Sequence, residues 1–160
     1  MTKGDARLVC VEKGKVSINR PGPFIDMDLH ENLAAYRELC TVRDTGELAC
    51  DGFAGPLPAG EFKQVALGFF NPCALTRDGR VECWFPPEVG GSPARAHTLD
   101  VNVEGDGCAL DVDGNINCWG NQRAPGPTVR FRQISVSSNQ VCALDSEDRA
   151  HCFESRRHTL

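Results

Sequence analysis

Cys73-Ala74-Leu75-Thr76-Arg77-Asp78-Gly79-Arg80-Val81-Glu82-Cys83-Trp84 reads as a β-hairpin folded about three residues. With Cys73 opposite Cys83, Leu75 stands opposite Val81, and Arg77, Asp78 and Gly79 form the loop. Such a loop is a type I turn closed by a residue in the left-handed region, where glycine costs least because it has no Cβ to clash. Side chains alternate along a strand, so Cys73, Leu75, Val81 and Cys83 share one face of the ribbon. Ala74 and Trp84 lie on the other, and both faces therefore need covering.

The same stretch recurs. Cys40 and Cys50, Cys108 and Cys118, and Cys142 and Cys152 repeat the ten-residue separation, and the pairs follow one another every 33 to 35 residues. Equal spacing repeated four times marks a supersecondary repeat of about 34 residues. Gly46 and Gly114 hold the position of Gly79, and Asp148 holds it in the last hairpin, Asp entering the left-handed region more readily than most residues. A shorter hairpin, Leu8 to Ile18, opens the chain; Ile18 stands where its second cysteine would be. Cys10 is thus the remnant of a fifth pair and explains the odd total of nine. The chain reads as one repeat domain over 1–160, with hairpin units at 8–18, 40–50, 73–83, 108–118 and 142–152.

An extended segment precedes each later hairpin. Phe62-Lys63-Gln64-Val65, Phe131-Arg132-Gln133-Ile134, Thr98-Leu99-Asp100-Val101 and Phe24-Ile25-Asp26-Met27 are matched in that role. The last of these stands further from its hairpin, and the excess, His30 to Tyr36, reads as a helical turn with Leu29, Leu33 and Tyr36 on one side. The C-terminal Arg157-His158-Thr159-Leu160 is similar to Ala96-His97-Thr98-Leu99 and is expected to begin the strand that the first hairpin lacks, beside Cys10.

The run Phe62, Val65, Cys73-Ala74-Leu75, Asp78-Gly79, Val81, Cys83-Trp84, continued by Cys108-Ala109-Leu110, Gly114, Ile116 and Cys118-Trp119-Gly120-Asn121, resembles the regulator of chromosome condensation repeat family in its paired-cysteine, extracellular form. The resemblance covers roughly residues 5 to 157 and implies a β-propeller. It also implies three classes of role: exchange factor for small GTPases, β-lactamase inhibitor, or receptor ectodomain. Physics agrees on the fold, because a twisted hairpin buries both faces only when blades stack around an axis. The expected fold is all-β, a small propeller of about five short blades, closed or nearly closed, with a partial propeller or open solenoid as the alternative. Glycine and proline number 16 and 10, about 16% together against a usual figure near 12%, which suits many turns and points away from a helical bundle.

Opposed cysteines at a non-hydrogen-bonded position of a hairpin are close enough for a disulfide. If bonded rather than packed as free thiols, the pairs Cys40–Cys50, Cys73–Cys83, Cys108–Cys118 and Cys142–Cys152 point to an extracellular, periplasmic or cell-surface location. Residues 1–15 carry no apolar run of the signal-peptide kind, which leaves a cytoplasmic location open. No metal or other cofactor is expected. A ten-residue gap across a hairpin does not resemble zinc ligand spacing. Asp111-Val112-Asp113-Gly114-Asn115 hints at a calcium loop, but its twelfth position is Gln122 rather than Glu, and the stretch coincides with the hairpin turn.

Nothing in the sequence links His30, His97, His151 or His158 to a nucleophile, and no enzyme is expected. A net charge of −5 argues against a nucleic-acid surface, and no stretch approaches a membrane span. The favoured reading is a non-enzymatic scaffold that binds another protein through the variable connections Ala54 to Ala59, Phe85 to Arg95 and Gln122 to Arg130. Phe69, Phe70, Phe85, Arg95, Arg123 and Arg130 are the candidate contact residues, aromatic and guanidinium groups being common interface anchors. A carbohydrate-binding module and a structural repeat fragment of a larger surface or receptor protein are the alternatives. Trp84 and Trp119 hold framework positions, which weakens the former.

Overall fold

The computed structural model describes residues 7–31, 37–53, 55–68, 72–84, 95–124 and 129–154. These form fourteen strands in five antiparallel sheets and no helix. β1 (Arg7–Glu12) and β2 (Lys15–Pro21) make a two-stranded ribbon. Four three-stranded sheets follow. The second sheet is β3 (Phe24–Glu31), β4 (Arg37–Arg43) and β5 (Leu48–Asp51), and the third is β6 (Phe62–Ala66), β7 (Cys73–Thr76) and β8 (Val81–Cys83). The fourth is β9 (Ala96–Val101), β10 (Gly107–Asp111) and β11 (Ile116–Trp119), and the fifth is β12 (Phe131–Val136), β13 (Gln140–Asp145) and β14 (Ala150–Glu154). The first strands β3, β6, β9 and β12 run side by side from sheet to sheet. Sheets stacked with their first strands together are the blades of a β-propeller architecture.

The hairpins form as their spacing dictates. Thr76 N–H donates to the Arg80 carbonyl at 2.9 Å and Gly79 N–H to the Thr76 carbonyl at 3.0 Å, with Gly79 at φ 92°. Thr76 and Arg80 are thus a hydrogen-bonded pair, and alternation makes Cys73 and Cys83, three steps away, a non-hydrogen-bonded one. The same parity holds from Arg43–Glu47, Asp111–Asn115 and Asp145–Arg149. Paired cysteines therefore fall at the narrow positions, with Cα–Cα separations of 4.0 to 4.1 Å, and all four disulfides are present. The first hairpin pairs Cys10 with Ile18 and turns through Lys13 and Gly14, both at positive φ, as a two-residue type I′ turn requires.

Packing follows one rule. The cystine face of each sheet meets the opposite face of the next. Cys40 and Val42 pack with Phe62, Val65, Ala74 and Trp84. Cys73, Leu75 and Val81 pack with Ala96, Leu99, Ala109 and Trp119. Cys108, Leu110 and Ile116 pack with Phe131, Ile134, Val141 and Ala143. Residues spaced like Phe62 and Val65 would point to opposite faces of a regular strand; a bulge between Phe62 and Gln64 turns both into one core, and β12 repeats the device between Phe131 and Gln133.

Two sequence expectations are corrected. In the fourth sheet Leu99, not Val101, lies opposite Ala109, and Ala96 lies opposite Asp111. The segment equivalent to Phe62–Val65 is thus Ala96–Leu99 rather than Thr98–Val101: the chain from Leu99 to its partner Ala109 is one residue longer than from Val65 to Ala74 or from Ile134 to Ala143, and His97 is the counterpart of the bulges in β6 and β12. His30 and Glu31 do not start a helical turn: β3 continues through them, paired with Glu38 and Arg37. Leu33 and Tyr36 of that expected turn lie outside the described residues, as does the C-terminal segment expected beside Cys10.

Candidate interaction surface

Three of the five hairpin turns are gripped by the chain entering the next sheet. Phe62 N–H donates to the Gly46 carbonyl at 2.9 Å, Ala96 N–H to Gly79 at 2.7 Å, and Phe131 N–H to Gly114 at 2.9 Å. A Cβ on Gly79 would come within 2.8 Å of the Arg95 Cα, so only glycine admits this approach. Glu61, Arg95 and Arg130, each one residue before its β-strand, consequently line one rim of the molecule.

Most charges on that rim are matched. Arg77 bonds the Asp44 carbonyl and lies 3.6 Å from Glu61; Arg80 meets Asp78 at 3.0 Å; Arg132 meets Asp148; Arg149 meets Glu147 and Asp145 at 2.9 Å. Arg130 is exposed and hydrogen-bonds the Asn115 side chain. Arg95 is exposed at φ 70° and ion-pairs with none of the described residues. Arg123 belongs to the opposite rim: it follows Gln122, whose side-chain amide donates to the Ser137 carbonyl at 2.9 Å beyond the far end of β12. The structure thus brings Arg95 and Arg130 to one rim and sets Arg123 apart. Phe69, Phe70 and Phe85 lie outside the described residues.

Acidic groups in the turns serve the backbone. Asp111 Oδ1 accepts from the N–H groups of Asp113 (2.9 Å) and Asn115 (2.8 Å), and Oδ2 from the Asn115 amide. Asp145 does the same for Glu147 and Arg149, and also meets His151 Nε2 at 2.8 Å. The His151 contact, with the N–H donors of the turn, holds the Asp145 carboxyl well below the usual carboxylate range. His151 also packs edge-on to Phe131 with ring centroids 5.6 Å apart. The apparent calcium loop and the histidine beside Cys152 are both parts of turn architecture.

A second set of polar side chains joins sheet to sheet along the inner strands. Asp26 and Asp28 accept from Val65 and Leu67 N–H, each at 2.8 Å. Gln64 grips both backbone groups of Leu99, donating to its carbonyl at 2.9 Å and accepting its N–H at 3.0 Å. Asp100 accepts Val136 N–H at 2.7 Å. Burial pushes the Asp26 and Asp100 carboxyls upward, against the pull of these N–H donors. The sequence reading missed these clasps. For Asp26 and Gln64 the signal is a polar third residue in the segments Phe24–Met27 and Phe62–Val65; Asp28 and Asp100, each opposite the first cysteine of its sheet, lie outside that pattern.

Trp84 and Trp119 are only 7% and 5% exposed, inside the inter-sheet cores. Neither offers a platform on which a sugar ring could stack.

The chain matches no protein-family model and no curated protein sequence. It is similar in fold to the CRINKLY WD40 ectodomain of the Arabidopsis thaliana receptor kinase ACR4, at 18% identity and a TM-score of 0.60 over 74% of this chain and 47% of that one. It is also similar to the entire ectodomain of the Physcomitrella patens receptor kinase CR4, at 15% identity and a TM-score of 0.58 over 73% of this chain and 37% of that one. The chain therefore spans less than half the length of either ectodomain, and the likeness establishes a propeller-like fold.

Proposed function

We propose that this protein is a non-enzymatic, extracellular or cell-surface scaffold that binds another protein through the rim bearing Arg95 and Arg130, and that its repeats are of the regulator of chromosome condensation kind. The observation carrying this reading is a division of labour among side chains. The repeated residues are committed to cystines, inter-sheet cores, turns and clasps, whereas Arg95 and Arg130 reach solvent where the sequence varies from unit to unit. Exposed guanidinium groups on a rigid scaffold suit recognition of carboxylate-bearing protein surfaces. Four disulfides suit an oxidising compartment, and the two receptor-kinase ectodomains of similar fold suit a surface role. The titratable groups of the turns, Asp111, Asp145 and His151, have structural partners, which favours binding over catalysis.

The test is capture of partners from the native secretome, run beside a glycan array. Capture of a protein is expected for the parent chain and for Arg123→Ala, and loss of that capture for Arg95→Ala/Arg130→Ala. Unchanged capture by the double variant rejects this rim, and a glycan hit without protein capture favours the carbohydrate-binding alternative.

A further inference from the structure

The stacking rule leaves two faces over. The fifth sheet presents a cystine face, Cys142, Leu144 and Cys152, that is incompletely buried, whereas its counterparts Leu75 and Leu110 are fully buried under a following sheet. At the other end, the first hairpin turns Leu8 toward the second sheet, where Arg20 also pairs with Asp51, and turns Val9 and Val11 outward at 48% and 62% exposure. Val9 and Val11 hold the positions of Val141 and Ala143, which in the interior pack on a cystine face. We infer that the cystine face of the fifth sheet docks the Val9–Val11 face of a second copy of this chain, head to tail.

Size singles out this occupant. Interior sheets place a large residue beside the turn on the cystine face (Leu48, Val81, Ile116) and a small one on the opposing face (Thr41, Ala74, Ala109, Ala143). At the chain's ends both are exchanged: Ala150 stands in the large position and Val11 in the small one. Either change alone would leave a gap or an overlap against an ordinary sheet, and together they compensate. Gln133, Cys142, Leu144 and Ala150 line one shallow groove.

Sedimentation velocity over a concentration series tests this, using Val9→Asp/Val11→Asp and Leu144→Asp. Concentration-dependent association is expected for the parent, and monomers for each variant alone. An equimolar mixture of the two variants should give dimers and nothing larger, since each supplies one intact face. Ala150→Arg, at an exposed position, replaces Leu144→Asp if that variant does not fold. A parent that stays monomeric, variants that still associate, or a mixture that remains monomeric each overturns the inference. Closure of the faces within one chain would appear as the first of these outcomes.

Discussion

Asp145 shows how one side chain fixes a turn. Its carboxylate replaces the solvent that the N–H groups of Glu147 and Arg149 would otherwise need, and it holds His151 and Arg149 against the sheet. Because its folded pKa is depressed, its stabilisation is present above the unfolded value near 3.9 and is lost as pH falls through the folded value. Asp145→Asn should therefore lower the urea midpoint at pH 7, and the gap to the parent should narrow progressively below about pH 4. A gap independent of pH would mean that the amide's shape, not the lost charge, is responsible. Thr76 performs part of this role in the third sheet, its hydroxyl accepting Arg80 N–H at 2.8 Å. Such caps were invisible in the cysteine spacing but were written in the residue that ends three of the four middle strands, Thr76, Asp111 and Asp145.

At the scale of elements, the inner strands are joined by side chains rather than by a shared ladder. Asp100 is the most exacting case, a carboxylate drawn out of water to accept Val136 N–H. Asp100→Ala should cost about 1–2 kcal/mol, because a partly buried N–H loses its acceptor. Asp100→Asn keeps an acceptor and sheds the charge. Its parent carries a desolvation penalty above the raised folded pKa and sheds it on protonation, so Asp100→Asn should equal or exceed the parent in stability near neutral pH and lose that advantage on acidification. Denaturation curves of all three proteins at two pH values decide it. Hairpin registers were legible in sequence because a short loop and a glycine fix them locally. The inner-strand register was not: Leu99 rather than Val101 takes the place of Val65 because the chain joining β9 to β10 is one residue longer than in the third and fifth sheets, a length no local pattern announces.

For the whole molecule, the disulfides differ in what covers them. Cys40, Cys73 and Cys108 are buried beneath a following sheet, whereas Cys142 is half-buried and Cys152 exposed. Each bond closes a similar loop and should stabilise by roughly 3 kcal/mol in the chain-entropy model, so access rather than loop length should set the order of reduction. Graded reductant followed by alkylation and mass spectrometry should find Cys142–Cys152 opened first; simultaneous opening of all four would show that reduction requires global unfolding. What the sequence by itself determined was the repeat, the five hairpins, their turns and the cysteine pairing, all set by contacts within about ten residues. Only the tertiary structure decided which faces meet, that Asp26, Asp28, Gln64 and Asp100 clasp neighbouring sheets, and that Arg95 and Arg130 share a rim without Arg123. Those facts depend on bulges and stacking between units some 34 residues apart, where no local pattern constrains the partner.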